Sequence, residues 1–250
     1  MLELLKRFQA KQSLYEDLVG KIIDTSPTGG TFIDCGANWG LHTARMLART
    51  DVTTVFAVEA IPALCDNLWK RYGSLEKFQL VRAAVGKENG EVEFNISVDD
   101  MGFSGILRRD ISPISEWRKV NVHLTTLDSC VSEYISNVGL IKLDLEGGEF
   151  DALRGGDTLI RSSRPLIVFE NGLRKSAEVY GYGVEEFFSF FGNHGYEVLD
   201  FFGNHVDRHY WDGVLRTYMF CAVPRGSVLE EWYRANIEAF AWAIAQESAS

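Results

Sequence analysis

The stretch TFIDCGANWG, Thr31 to Gly40, constrains this chain more than any other. A short apolar strand, Thr31 to Ile33, runs into an acid, Asp34, and then Gly36, Asn38 and Gly40 alternate into the start of a helix. A glycine at 36 lets the backbone turn sharply and approach a ligand with no Cβ in the way. Gly40 would let the following helix pack close to the strand. A strand, a glycine loop and a helix in that order form a ligand loop at the carboxyl end of a parallel strand. The chain is therefore expected to be an α/β protein.

The loop departs from the dinucleotide fingerprint G-x-G-x-x-G, and it carries an acid where a pyrophosphate would sit. A carboxylate there repels phosphate and suits a cationic ligand. S-adenosylmethionine has a sulfonium and an ammonium and no phosphate. Charge argues the same way on a larger scale. The net charge is −10 and the pI about 5.0, so a phosphate backbone is a poor partner and nucleic acid is not expected. With 46% hydrophobic and 24% charged residues, the 250-residue chain has the composition of an ordinary globule. Cys35, Cys65, Cys130 and Cys221 are scattered without metal-ligand spacing, as expected for reduced thiols in a cytoplasmic protein. The N-terminus lacks the apolar core of a secretory signal, and no apolar run approaches the ~20 residues of a membrane span.

Leu2 to Ile23 carries apolar residues at helical spacing and reads as one or two amphipathic helices, ended by Ser26-Pro27-Thr28-Gly29-Gly30. Strands and helices then alternate. Strands are expected at Thr31–Asp34, Thr54–Val58, Phe78–Val85, Glu91–Ser97, Val120–Leu124, Leu140–Leu145, Pro165–Phe169, Tyr196–Phe201 and Tyr218–Val223. Helices are expected at Leu41–Ala48, Pro62–Tyr72, Leu127–Ile135, Phe150–Arg161, Val184–Phe191 and Val228–Gln246. Asp99 to Lys119 reads as a long irregular loop. Repeated βα units imply a doubly wound, mostly parallel sheet, and the close strand pair at the end implies an antiparallel edge. The expected organisation is one domain: a helical extension over 1–30, an α/β core over 31–225 and a terminal helix over 226–250. That last helix offers Trp232, Ile237, Phe240 and Ile244 at near-helical spacing for a partner or a second subunit.

Glu59 ends the second strand, ~20 residues beyond the glycine loop, where an acid commonly bonds ribose hydroxyls; the plainer alternative is an exposed helix cap. In LIKLDLEGGE, Leu140 to Glu149, strand alternation sends Lys142, Asp144 and Glu146 to one face, with Glu149 on the next helix. These acids sit where ligands bind in such sheets, as a general base for a hydroxyl or as metal ligands. Alternatively, Lys142 pairs with an acid and Glu149 caps a helix. Glu170 and Asn171 end the next strand and, with Asp144, offer oxygen donors that suit magnesium; hydrogen bonding to loop backbone is the other reading. His209 lies in GNHVDRHYWDG, where Tyr210 and Trp211 could stack on a sugar or be packed down.

With these residues in place, the chain resembles the FkbM family of S-adenosylmethionine-dependent methyltransferases. The resemblance rests on IDCGANWG, FAVEAIP, RAAVGKENGEVEF, the TLD at Thr126 to Asp128, IKLDLEGGEFDALRGG and RPLIVFEN, from about Thr31 to Asn171. It implies a class I methyltransferase fold with a mostly parallel seven-stranded sheet and an antiparallel edge strand. It implies methyl transfer, usually to a hydroxyl of a sugar or natural product. It also implies a cofactor site of Asp34, Gly36, Ala37, Asn38, Gly40 and Glu59, with Ala84 near the adenine and Ser104 at its edge. Asp144, Glu146, Glu149 and His209 are the catalytic candidates. The order Asp144, then Glu170-Asn171, is similar to magnesium-dependent O-methyltransferases. Two rivals are a nicotinamide-dependent oxidoreductase, against which the missing third glycine argues, and a module that keeps the fold without turnover.

Overall fold

Burial of strands on both faces requires helices on both faces. The first strand, β1 (Gly30–Cys35), is buried along all but its first residue, and β7 (Val138–Leu143) nearly so. The computed structural model describes residues 2–11, 13–108, 116–213 and 217–247. Residues 109–115, inside the long loop expected between Asp99 and Lys119, lie outside the described residues.

In chain order, helices α1 (Leu2–Ala10) and α2 (Ser13–Thr25) precede β1. Then come α3 (Leu41–Ala48), β2 (Val52–Glu59), α4 (Pro62–Tyr72), β3 (Phe78–Arg82), β4 (Ala84–Val85), β5 (Gly90–Ser97) and β6 (Trp117–Thr125). After α5 (Leu127–Cys130) and β7 follow α6 (Glu149–Arg154), α7 (Asp157–Ser163), β8 (Leu166–Glu170), α8 (Arg174–Tyr180) and α9 (Val184–Asn193). The chain ends with β9 (Tyr196–Asp200), α10 (Arg208–Asp212), β10 (Met219–Pro224) and α11 (Val228–Glu247).

Seven strands form one sheet in the order β3-β2-β1-β7-β8-β10-β9. The ladders β3–β2–β1–β7–β8 are all parallel, and β10 runs antiparallel to both its neighbours. This is the doubly wound class I methyltransferase fold. Its antiparallel strand lies one place in from the edge, because β9 pairs outside it. Order reverses at β1/β7, which puts the ligand crevice at the carboxyl ends of those two strands. The apolar layer on one face joins β1, β8 and β10 to α2, α3 and α11, and that on the other face joins them to α6, α7 and α9. Ile237 and Ile244, expected to face a partner, are buried against this chain's own core.

Several expectations change; the helix expected over Leu127–Ile135, for one, ends at Cys130 and gives way to a 3-10 turn over Ser132–Tyr134. The strand expected over Phe78–Val85 breaks at Ala83, and its end passes as β4 into a separate three-stranded sheet, β4-β6-β5. The alternating residues Val92, Phe94 and Ile96 face Val120, Val122 and Leu124 there and pack on Ile61, Leu64 and Ala84. The helix expected over Phe150–Arg161 is two helices, because the backbone leaves helical geometry at Gly156 (φ −115°, ψ 21°); at Gly155 beside it a Cβ would lie 2.2 Å from the Gly86 carbonyl oxygen. Residues 208–212, expected as loop, are helix α10, and Trp211 is buried with its ring 5.3 Å from Phe187. Tyr210 donates its hydroxyl to Asp200. Those two aromatics are thus packed down, as the plainer of the two readings had it.

Candidate active site

The turn after β1 is shaped by what it touches. Gly36 has φ +72°, and a Cβ there would sit 1.9 Å from the carbonyl oxygen of Asp144. Its freedom thus serves the close approach of the neighbouring strand end, and the residue also borders the cavity described below. Asn38 is left-handed too, at φ 49°, and its N–H donates to Glu59 Oε2 at 2.8 Å. Ile61 N–H donates to Glu59 Oε1, also at 2.8 Å. Glu59 is buried, and burial raises its carboxyl above the ordinary value although these N–H groups pull the other way. Gly40 faces Leu68 and Tyr72 of α4, not the strand.

Beneath this turn lies a buried ion cluster. β1 and β7 run in register, so Asp34 sits beside Lys142 on the face covered by α2 and α3. Lys142 Nζ is 3.2 Å from Asp34 Oδ1 and 3.4 Å from Asp144 Oδ2, and it donates to the Gly36 carbonyl at 2.9 Å. Thr43 donates its hydroxyl to Asp34 Oδ2 at 2.6 Å. Burial works against the ammonium charge, but the carboxylates of Asp34 and Asp144 outweigh it and raise the Lys142 pKa. One helix over, His42 Nε2 meets Glu16 Oε2 at 2.6 Å, a contact that lowers the Glu16 carboxyl.

A cavity of about 600 Å³, open to solvent, lies over the ends of β1, β2 and β7. Gly36, Asn38 and Glu59 line one side, Ile61, Ala84 and Phe94 form an apolar slot, and Asp144 and Glu146 close the far end. The turn Met101–Phe103 and Ser104 roof it, with Ser104 Oγ accepting from Ser97 N–H at 3.0 Å. Among the described residues, three acids line the cavity, Glu59, Asp144 and Glu146, and no lysine, arginine or histidine does.

Of the residues expected at the site, Gly36, Asn38, Glu59, Ala84, Ser104, Asp144 and Glu146 are brought together here. Asp34 and Ala37 are buried below the loop, where Asp34 supports it through Lys142. Glu149 is fully buried and accepts N–H bonds from Leu145 and Gly147, both at 2.9 Å. His209 is exposed on α10, and it is not one of the cavity's lining residues. Glu170 comes together with Asp144 and Glu146, one oxygen of each lying within 4.8 Å of the others. Asn171 does not join them: its amide bonds the Tyr182 hydroxyl and the Leu173 N–H. The sequence expectation for Lys142 is only a pairing with an acid. A lysine inside an otherwise apolar central strand was the signal for its larger part in the site.

A sequence profile of the Methyltransferase FkbM domain matches residues 34–198. The chain belongs to the FkbM methyltransferase domain family. Membership implies S-adenosylmethionine as the methyl donor. The chain is similar to 2-O-methyltransferase NoeI of Sinorhizobium fredii (strain NBRC 101917 / NGR234), 26% identical over 144 residues that cover 53% of this chain and 59% of that protein. It is also similar to Methyltransferase 1 of Beauveria bassiana (strain ARSEF 2860), 25% identical over 162 residues, covering 57% of this chain and 65% of that one. The match therefore spans about three fifths of the length of these relatives. A crystal structure of the FkbM methyltransferase from Methylobacillus flagellatus KT superposes with a TM-score of 0.49 at 14% identity, covering 80% of this chain and 44% of that one. Among the described residues, no helix is long and apolar enough to cross a membrane.

The site suits the donor that the FkbM family implies. Glu59 uses each oxygen for one backbone N–H and borders the cavity, so its remaining lone pairs can accept from a ribose diol. The slot of Ile61, Ala84 and Phe94 suits an adenine. Asn38 Oδ1 is buried without a hydrogen-bond partner, which leaves an acceptor for an ammonium group.

Proposed function

We propose that this chain is an S-adenosylmethionine-dependent O-methyltransferase that acts on a hydroxyl of a sugar, glycan or natural product. The observation that carries the reading is the charge of the cavity, whose wall has three acids and no cationic side chain among the described residues. A nicotinamide dinucleotide would bring two phosphates to a wall that repels them. The similarity to a 2-O-methyltransferase supports oxygen as the methyl acceptor.

The donor supplies a methyl group on a cationic sulfur, and the chain supplies position and a proton acceptor. Glu59 and Asn38 fix the two ends of the donor, and the Met101–Phe103 turn shields it from water. The acceptor hydroxyl enters past Asp144 and Glu146. Displacement needs its oxygen in line with the methyl carbon at ~3 Å, so much of the rate comes from holding it there. Asp144 or Glu146 takes the proton. The proximity of Asp144, Glu146 and Glu170 supports a second route, in which these carboxylates hold a divalent cation that lowers the hydroxyl pKa.

Calorimetric titration of metal-stripped protein with S-adenosylhomocysteine, with NAD as control, is the first test. Binding of S-adenosylhomocysteine alone is expected. Transfer from labelled S-adenosylmethionine to a panel of methyl pyranosides and phenols, with and without magnesium, then tests the acceptor class. Binding of NAD alone, or of neither ligand, would sink the reading.

A further inference from the structure

We propose that Glu149 and Tyr180 are positioning residues that hold the turn after β7 so that Glu146 stays on the wall of the cavity. The inference rests on the methyltransferase reading above. It assigns Glu149 a task other than that of general base.

Glu146 has φ 57° and Gly147 has φ 106°. A left-handed conformation at a residue with a side chain costs on the order of 1–2 kcal/mol and persists where the surroundings over-determine it. Two contacts do so here. One oxygen of Glu149, Oε1, accepts the N–H groups of both Leu145 and Gly147, so a single atom grips the backbone on either side of Glu146. From the other side, the Tyr180 ring lies against the two glycines. A Cβ on Gly147 would be 2.7 Å from Tyr180 Cε2, and one on Gly148 would be 3.6 Å from Tyr180 Cε1. A Cβ on Gly105 would be 3.4 Å from Glu146 Cβ, so the roof of the cavity closes the third side. Glu149 is fully buried and does not line the cavity, so it is placed to act on Glu146 and not on substrate.

A clamp and a base respond differently to substitution. Glu149→Gln keeps a carbonyl oxygen for both N–H groups and loses the ability to take a proton. Wild type, Glu149→Gln, Glu149→Ala, Tyr180→Ala, Glu146→Gln and Glu146→Gln/Glu149→Ala are to be compared for kcat, KM and S-adenosylhomocysteine affinity. The acceptor is the pyranoside or phenol that wild type methylates fastest. Expected is kcat within about threefold of wild type for Glu149→Gln and a loss of about 100-fold for Glu149→Ala, with Tyr180→Ala lower in the same direction. In the Glu146→Gln background, Glu149→Ala should cost little more, a non-additivity that a role in stability alone would not produce. An inactive but folded Glu149→Gln, or full additivity, overturns the proposal. If wild type binds S-adenosylhomocysteine but methylates nothing in the panel, the acceptor assignment fails and hydrogen exchange decides this one. With S-adenosylhomocysteine bound, the Leu145 and Gly147 amides should exchange at least about tenfold faster in Glu149→Ala and unchanged in Glu149→Gln. Unchanged exchange in Glu149→Ala overturns the clamp.

Discussion

Two turns meet at the carboxyl edge of the sheet, one after β1 and one after β7, and they have the same backbone problem with different solutions. Each holds a non-glycine residue in the left-handed region, Asn38 at φ 49° and Glu146 at φ 57°. Each is supported from below by a fully buried acid, Asp34 or Glu149. Under the first turn the acid meets a lysine, and the ammonium in turn binds the Gly36 carbonyl. Under the second, among the described residues, no cation pairs with the acid, which accepts from backbone N–H groups, and its other oxygen, Oε2, is buried without a hydrogen-bond partner. The turn that would carry the donor is therefore fixed by charge on charge. The turn that would carry the proton acceptor is held by a group near its own titration, since burial pushes Glu149 up to about 7.

The sharpest way to break this comparison is at the point where the turns touch. Gly36→Ala would drive a Cβ into the backbone oxygen of Asp144, with φ +72° adding strain, and backbone cannot step aside. A loss of at least about 4 kcal/mol is expected, or on the order of 10 °C in Tm, together with the loss of S-adenosylhomocysteine binding. Gly147→Ala is strained by its φ of +106° but meets a tyrosine side chain that can shift, so a smaller loss of about 2–3 kcal/mol is expected. Thermal melts of the two variants side by side would test this, and equal losses would show that both turns are held in the same way.

Next comes the lysine. Lys142→Met leaves Asp34 fully buried with only the Thr43 hydroxyl, at an expected cost of about 3 kcal/mol. Adding Asp34→Asn should recover most of it, because the uncompensated charge and not the missing bond is the main penalty. Denaturant unfolding of the single and double variants measures both. A double variant no better than Lys142→Met would mean that the donor of the Gly36 bond matters more than the ion pair.

The contrast between these turns was partly legible in the sequence. Gly36, Asn38 and Glu59 announce themselves through local signals, a glycine that must turn and an acid at a strand end. The glycine spacing suggests a place for Asp34 in the ligand loop, whereas strand alternation puts it on the face that holds Phe32, Leu140 and Lys142, under helices. The second sheet was not legible. Val92, Phe94 and Ile96 alternate identically whether they border the main sheet or roof its ligand cavity, and only the break at Ala83 separates the two. Helix α8 escaped notice because seven residues, mostly exposed, carry no periodic signal. With it went Tyr180, whose importance comes from glycines more than thirty residues away. The burial of Trp211 likewise depends on Tyr182 and Phe187, which no local pattern connects to it.

The last test separates the two supports by pH. Lys142 has a folded pKa above its ordinary value, so its contribution is fully present below about pH 10 and does not change between pH 5 and 8. Glu149 has the opposite consequence. Its folded value is about 7 against an ordinary 4.5, so between those values the unfolded chain has released the proton and the folded chain still holds it. The folded state then binds more protons, and stability falls as pH rises. The fall is about 1.4 kcal/mol per pH unit and totals on the order of 3 kcal/mol by pH 8. Other carboxyls titrate as well, so the quantity to measure is the difference between wild type and Glu149→Gln in urea unfolding at pH 5, 6, 7 and 8. Wild type is expected to lose ground to the variant steadily up to about pH 7 and to run parallel to it above. Curves parallel over the whole range would mean that Glu149 is already ionised in the folded chain, and the turn after β7 would then be held by charge as firmly as the turn after β1.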